Sequence, residues 1–117
     1  MAKRLYKRIL KKLNLTRDQL KELQTRLITR NVSRGPFLSG DKMCPNTTAL
    51  AIKRGIARFR DDREVKRLLK QYTVTPVELW VFYALFDIPA MVSERLFTRL
   101  LQDLKSAVDE LSQENRS

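Results

Sequence analysis

The sequence contains no histidine and only one cysteine, Cys44, so it lacks the side chains most often used for catalysis and metal binding. Histidine is the commonest general base and metal ligand, and a single thiol cannot build a thiolate metal site. The carboxylates do not indicate a catalytic pair, because those at 61–64 suit a helix start and those at 109–114 lie at the end of the last predicted helix. We therefore expect no enzymatic activity, no metal and no cofactor.

The glycine-rich loops that hold nucleotide phosphates are missing as well. The chain has three glycines, and neither Gly35 nor Gly40 is followed by the Lys-Ser or Lys-Thr pair of the Walker loop. From the sequence we predict neither a nucleotide site nor a small-molecule substrate.

Long apolar runs are also absent. The longest, at 79–86, is far shorter than the roughly 20 residues that a membrane-spanning helix needs, and no apolar block of a secretory signal follows the basic first residues. The lone Cys44 cannot form an internal disulfide, so nothing indicates an oxidising compartment. We expect a cytoplasmic protein.

What the chain has is helical periodicity. Hydrophobic residues make up 43% of the sequence, with three glycines and four prolines, which is a globular composition. Its 117 residues fit one domain, and no apolar and polar alternation persists long enough to predict strands. We predict an all-α fold, a single compact bundle of about six helices with one long loop after the second helix.

Capping residues mark three of the helix starts. Thr16 with Gln19, Asp61 with Glu64, and Thr75 with Pro76 and Glu78 each have the spacing of a capped first turn. The predicted helices span 3–13, 16–30, 45–60, 61–72 and 77–86, with a last one from Pro89 or Ser93 to about 112.

The long connection at 31–45 contains the turn signals Gly35-Pro36 and Ser39-Gly40. Phe37 and Leu38 are expected to hold it against the core. The alternative is that Ser33, Arg34 and Phe37 grip a phosphate and stack a base. Cys44 is expected to be a small buried hydrophobe.

The segment at 77–86 is apolar on every side except Glu78, which is typical of a helix surrounded by other helices. We therefore predict that it forms the centre of the bundle and that its aromatic residues belong to the core. The alternative is an aromatic surface that binds a partner. These aromatic residues are Trp80, Phe82, Tyr83 and Phe86.

Positive charge is the strongest functional signal. The chain has 24 Lys and Arg against 13 Asp and Glu, a net charge of +11. Residues 1–60 hold 16 basic and 3 acidic side chains, whereas the remainder holds 8 basic and 10 acidic ones. We divide the domain into a strongly basic half at 1–60, a neutral to acidic half at 61–112 and a polar tail at 113–117.

The first helix concentrates this charge, because every position of its polar arc beyond Ala2 is basic. Like charges on one helix repel each other at a cost of a few tenths of a kcal/mol per pair, so a face of one sign indicates an anionic partner. The alternative is an ordinary solvated face on a basic protein. The six residues are Lys3, Arg4, Lys7, Arg8, Lys11 and Lys12.

Positive charge recurs beyond the first helix and favours nucleic acid, DNA or RNA, as the partner. We hypothesise a small non-enzymatic nucleic-acid-binding protein, regulatory or accessory, that contacts phosphates through its basic N-terminal half. The alternatives are an adaptor or assembly factor that binds an acidic protein surface, and attachment of the first helix to an anionic membrane. Besides the six residues of the first helix, the candidate phosphate contacts are Arg30, Arg34, Lys53, Arg54 and Arg58.

Sequence-specific DNA recognition is not supported. Ala51 and Gly55 have the spacing of a helix-turn-helix, but the apolar residue required six positions after the glycine is Asp61. Phosphate contacts position a protein without reading bases, so we expect binding without sequence preference.

Overall fold

A computed structural model describes residues 1–114 of the chain. The six helices of this part are α1 (Ala2–Leu13), α2 (Arg17–Ile28), α3 (Pro45–Arg54), α4 (Asp62–Gln71), α5 (Pro76–Val92) and α6 (Glu94–Glu114). Strands β1 (Leu38–Ser39) and β2 (Lys42–Met43) lie between α2 and α3. The mostly helical fold confirms the predicted class, although the prediction that strands are absent was wrong.

The longest helix, α6, packs against α1, α2 and the last turns of α5. The apolar stripe of α1 faces inward as predicted, with Tyr6, Ile9, Leu10 and Leu13 all buried. The radius of gyration is 12.9 Å, close to the ~13 Å expected for a compact chain of this length. The helices therefore enclose one continuous core, which also includes Leu50, Leu69 and Phe86.

All three predicted N-cap side chains accept a backbone hydrogen bond, but the predicted capping box at Asp61 is only half formed, because the Glu64 side chain accepts from the Arg60 amide instead. The Thr16 hydroxyl accepts from the Gln19 amide while the Gln19 side chain accepts from the Thr16 amide, and Thr75 and Glu78 form the same reciprocal pair. The Asp61 carboxylate accepts from the Glu64 amide at 2.9 Å. These contacts satisfy backbone donors that have no partner within the helix, which is why the local sequence locates these starts.

The segment between α2 and α3 is partly ordered by a small hairpin. β1 and β2 pair antiparallel, with Leu38 opposite Met43 and Ser39 opposite Lys42. Gly40 begins the two-residue turn at φ 64°, a conformation that primed hairpin turns require and glycine adopts without strain. Phe37 and Leu38 are partly buried against the core, in agreement with the structural interpretation of this segment.

The third helix is shorter than predicted. α3 ends at Arg54 because Gly55 takes the left-handed conformation at φ 66° and its amide donates to the carbonyls of Ala51 and Ile52. Beyond it, Ile56 is exposed while Phe59 is buried, so the predicted core side does not continue as a helix to residue 60. The predicted end at residue 60 was wrong because a glycine in the left-handed conformation commonly terminates a helix.

The prediction that 77–86 lies at the centre of the bundle was wrong. Val77 and Trp80 are 69% and 70% exposed, and Val81 is exposed as well. The one charged residue of that segment, Glu78, is instead buried. α5 therefore lies at the surface and presents part of its apolar circumference to solvent.

α5 also continues past Pro89, and the next helix begins after Ser93. Of the two predicted starts of the last helix, Pro89 and Ser93, the second is therefore confirmed. Residues Tyr83–Asp87 form a π-helical turn in which the Ile88 amide donates to the Tyr83 carbonyl. Proline crowds the carbonyl four residues earlier, and a wider turn at that point accommodates it. The turn also directs Asp87 inward, where it is buried.

No single helix within residues 1–114 has both the length and the apolar character to cross a membrane, although α4 and α5, bent by 118°, meet that test as a pair. Gln113 and Glu114 of the predicted polar tail continue α6, and residues 115–117 lie outside the described residues.

Removing the cap of α5 tests how far this helix depends on its first turn. Thr75→Ala should lower the free energy of unfolding by about 1 kcal/mol, because the Glu78 amide loses its acceptor. Denaturant titration followed by far-UV circular dichroism measures the change. Gln102→Ala, at an exposed position of α6, is the control and should change the midpoint little; equal effects of the two substitutions would contradict the capping role.

Candidate nucleic-acid interface

The basic face of α1 is partly neutralised by carboxylates of α6. Lys7 Nζ lies 3.1 Å from Glu110 Oε1 and 2.6 Å from Glu114 Oε2, and Lys11 Nζ lies 3.4 Å from Glu114 Oε1. Lys3 also pairs with Glu110. We call these contacts the α1–α6 ion-pair ladder, and through it three of the six predicted phosphate contacts on α1 have internal partners.

The ladder shifts the ionisation of its members. Hydrogen bonds that Lys7 donates to Glu114 and Glu110 raise the pKa of Lys7, while hydrogen bonds donated by Lys3 and Lys7 lower the pKa of Glu110. The Lys7 contact likewise lowers the pKa of Glu114. Both signs of charge are therefore retained around neutral pH, and the lysines are shared with the protein's own carboxylates rather than free for phosphate.

Lys12 is committed to α5. Its ammonium donates to Glu78 Oε1 at 2.7 Å and to the Thr73 carbonyl at 2.9 Å. Burial acts to raise the pKa of Glu78, but the hydrogen bonds from Lys12 and Thr75 outweigh it and lower this pKa. Lys12 thus stabilises the buried carboxylate that caps α5.

Arg4 and Arg8 are the members of the α1 set that remain available. Both are exposed, and neither forms an ion pair with a carboxylate in residues 1–114. They line a shallow depression between α1 and α5, whose other side is formed by Val81 and Leu85. This places two guanidinium groups beside the exposed apolar side of α5.

Arg30 and Arg34 form a separate group at the start of α6. Both pair with Glu94, and both guanidinium groups lie over the Phe97 ring, at 4.8 and 4.3 Å from its centroid. The structure therefore brings these two predicted contacts together but gives them internal partners. The hypothesis that Arg34 binds a phosphate from the loop therefore loses support, because its guanidinium already pairs with the Glu94 carboxylate.

The three predicted contacts of the third helix lie at its carboxyl end and beyond. Lys53 donates to the Asn14 carbonyl at 3.1 Å, whereas Arg54 and Arg58 are exposed. Cations at this position also interact favourably with the helix dipole. The predicted set thus falls into several local groups, in which Arg4, Arg8, Arg54 and Arg58 have no ion pair within the described part of the chain.

A groove between α4 and α5 is a second candidate site. It has a volume of about 780 Å³ and opens to solvent. One wall carries four basic residues of α4, and within residues 1–114 none of them forms an ion pair. The four are Arg63, Lys66, Arg67 and Lys70.

Sequence reasoning missed this basic wall. The four residues follow the i, i+3, i+4, i+7 spacing that places side chains on one face of a helix, and this signal was visible in the sequence. The charge sum for residues 61–112 hid it, because the carboxylates of Asp61, Asp62 and Glu64 stand at the helix start. Those carboxylates serve the cap and the helix dipole and leave the outer face of α4 basic.

The opposite wall is aromatic. Trp80 and Tyr83 both line the groove, with ring centroids 5.9 Å apart in an edge-to-face arrangement. Of the four predicted core aromatics, Phe82 and Phe86 are buried and stack at 5.3 Å, whereas Trp80 is exposed and Tyr83 is partly exposed. The prediction was therefore wrong for Trp80, because helical periodicity did not reveal which side of α5 lacks a neighbour.

Three polar or reactive residues lie in the floor of the groove. Cys44 is buried as predicted, and burial together with the nearby Asp87 charge raises the pKa of its thiol to about 11. Asp87 is 3% exposed, and burial raises the pKa of its carboxyl from 3.8 to about 7. Asn46 lies beside them at the start of α3. The thiol is protonated at neutral pH and is a poor nucleophile.

The groove combines several kinds of binding group. Within residues 1–114 there is no group of three or more Cys, Asp or Glu side chains placed to hold a metal ion. Cations, an exposed indole and buried acceptors are suited to holding an anionic, partly planar ligand. Comparison of the chain with protein-family models, curated proteins and solved structures finds no match.

The buried carboxyl of Asp87 should make stability depend on pH. Its folded pKa of about 7 exceeds the ordinary 3.8, so between these values the folded state holds a proton that the unfolded state has lost. The free energy of unfolding should therefore fall as the pH rises from about 4 to about 7. Asp87→Asn should remove this pH dependence. At pH 8 the free energy of unfolding of the variant should exceed that of the wild type by about 4 kcal/mol.

Urea titrations of both proteins at pH 4.5, 6 and 8 measure this effect. Asp103→Asn, on α6 and partly exposed, is the control and should leave the pH dependence unchanged. Parallel pH profiles for the wild type and Asp87→Asn would show that this carboxyl is ionised at no cost in the folded state.

Proposed function

We propose that the protein is a non-enzymatic nucleic-acid-binding protein that holds the phosphate backbone along α4. The observation that carries the proposal is the groove, which is lined by an exposed tryptophan and by four cations that form no ion pair within residues 1–114. Lys and Arg neutralise phosphates and release counterions, and aromatic side chains stack on bases. The proposed contact surface is thus centred on α4 rather than on α1, where the sequence predicted most of the phosphate contacts.

The dimensions of the basic wall suit a nucleic-acid strand. Residues 63 and 70 are seven positions apart on α4, which corresponds to about 10 Å along a helix axis. A strand in helical form advances about 3.4 Å for each phosphate, so this wall matches about three phosphates.

The basic N-terminal half contributes at longer range in this proposal. Arg4, Arg8, Arg54 and Arg58 are exposed cations that add to a net charge of +11, and a field of that sign raises the rate of encounter with polyanions. The lysines of the α1–α6 ladder contribute less, because nearby carboxylates offset their charge. Phosphate-directed binding therefore remains the mode proposed, without base-pair readout of a duplex.

Charge reversal on α4 tests the proposal. Lys66→Glu combined with Arg67→Glu should weaken binding to a labelled oligonucleotide at least about tenfold in low salt, because two phosphate contacts become repulsive. The slope of log affinity against log salt should decrease in magnitude by about one to two. Fluorescence anisotropy at several salt concentrations measures both quantities.

Arg95→Glu combined with Arg99→Glu provides a matched control. These α6 residues are exposed, lie outside the groove and change the net charge by the same amount. The control should retain most of the affinity. Equal losses in the two double variants would assign binding to net charge alone, and an absence of wild-type binding in low salt would reject the proposed function.

A second candidate function, an adaptor for another protein, is favoured by the apolar side of α5. Seven large hydrophobic residues are exposed, on α5 and on the first turn of α6, and we call them the α5 stripe. Its members are Val77, Trp80, Val81, Ile88, Met91, Val92 and Leu96. A contiguous apolar surface of this kind is typical of a protein interface. Attachment of α1 to a membrane has less support, since the apolar face of α1 is already buried.

The two functions can be separated by substitution. Val77→Glu combined with Val92→Glu places charge on the α5 stripe without touching the basic wall. In affinity capture from a nuclease-treated lysate, these substitutions should remove a protein partner that the Lys66→Glu, Arg67→Glu variant still retains. Loss of every partner after nuclease treatment, or retention by the stripe variant, would contradict the adaptor function.

A further inference from the structure

The floor of the groove contains two buried acceptors that lack donors. Asn46 and Asp87 are 2% and 3% exposed, and Oδ1 of each has no hydrogen-bond partner within residues 1–114. Buried polar atoms are almost always paired, because leaving one unpaired costs roughly 1–3 kcal/mol. Both residues line the same groove, so a ligand with N–H donors would satisfy both.

The local backbone explains why these acceptors lie there. Asn46 follows Pro45 in the first turn of α3, whose cap is the Cys44 thiol and not a side chain of the groove. Asp87 is the last residue of the π-helical turn in α5. π turns frequently occur at functional sites, where the extra residue redirects a side chain.

The aromatic wall provides a surface for a planar group. Trp80 is 70% exposed, an unusual position for the chain's one tryptophan, and its edge-to-face contact with Tyr83 leaves indole surface open to the groove. Phe37 borders the groove from the loop before β1, and Lys66 lies 5.4 Å from the centroid of its ring. A flat aromatic ligand would replace solvent on this apolar wall.

The three kinds of group that line the groove define the ligand. Buried hydrogen-bond acceptors, aromatic rings and the cations of α4 all border it. A nucleotide carries the complementary groups, with donors on its base edge, a planar ring, and phosphate. The volume of about 780 Å³ lies within the range of small-ligand sites.

We propose that the groove holds one unpaired nucleotide, with its base edge donating to Asn46 and Asp87, its ring against Trp80 and its phosphate on α4. Guanine is the preferred base, because its Watson–Crick edge carries two neighbouring donors, N1–H and the N2 amino group. The inference rests on the proposed function and specifies that the strand is single, since pairing occupies the same donors. The absence of a Walker loop does not bear on this site, which uses side chains of α4 rather than a glycine-rich loop.

The test uses labelled thymidine hexamers that carry one central guanine, inosine or adenine. The guanine strand should bind at least about tenfold more tightly than the inosine strand, which lacks the N2 amino group, and than its own duplex. Trp80→Ala should weaken binding of the guanine strand at least about tenfold through lost stacking. Val77→Ala, equally exposed on α5 but outside the groove, should leave binding unchanged.

Asn46→Leu tests the floor, and its folding is checked by circular dichroism. It should remove the preference for guanine over inosine while keeping the salt dependence that α4 confers. If this variant unfolds, Trp80→Ala, at an exposed position, still decides the outcome. Competition with guanosine monophosphate distinguishes a free nucleotide from a strand as the ligand. Displacement of the strand at micromolar concentrations assigns the groove to a free nucleotide, whereas no displacement assigns it to a strand.

The failure of this inference differs from that of the proposed function. If the wild type binds single strand and duplex equally, and Trp80→Ala has no effect while charge reversal on α4 does, the nucleotide site is overturned and phosphate-directed binding stands. Equal binding of the guanine and inosine strands likewise overturns the site. If no strand binds in low salt, both are rejected.

Discussion

The α1–α6 ion-pair ladder determines which part of the positive charge can act on another molecule. Lys3, Lys7 and Lys11 contact Glu110 and Glu114, which lie one helical turn apart on α6. These pairs are partly exposed, so each contributes little to stability. Their effect on function is larger, because they offset the densest cluster of cations, whereas Arg4 and Arg8 of α1 and the cations of α4 form no ion pair within residues 1–114.

Local contacts of carboxylates also explain why α4 is basic on one side only. Asp61 and Glu64 cap its first turn, and Glu64 also binds Arg60, so these acids are engaged at the helix end. Hydrogen bonds from the Arg60 backbone and side chain lower the pKa of Glu64 and keep it ionised. The cations further along the helix line the groove and form no ion pair within residues 1–114, although Arg67 lies one turn from Glu64 and its charge helps to lower the pKa of that carboxyl.

The sequence predicted local features better than it predicted the relative placement of helices. The caps at Thr16, Asp61 and Thr75 involve residues three positions apart, so the pattern alone determines them. The position of α5 depends on which neighbours cover it, and an apolar pattern on all sides is equally compatible with a buried helix and an exposed binding helix. The prediction that Trp80 belongs to the core was therefore wrong, although the start of the helix was predicted to within one residue.

The candidate site was less predictable for a related reason. Charges were counted by chain halves, whereas the groove joins α4 to α5 and to residues at the start of α3. Asn46 and Asp87 are 41 positions apart, and neither belongs to a motif. Their unpaired acceptors become apparent only when the fold places them together, so no local pattern could have identified the floor.

The exposed side of α5 limits the kinds of partner that would fit it. Both charged residues of this helix, Glu78 and Asp87, are buried, so its outer surface carries no charge in a protein of net charge +11. Cations border this surface on both sides, Arg4 and Arg8 on α1 and the basic wall on α4. A second copy of the chain would bring like charges together, which opposes self-association through this face. The single-stranded nucleic acid proposed as the partner matches this surface, because its bases are planar and its phosphates carry negative charge.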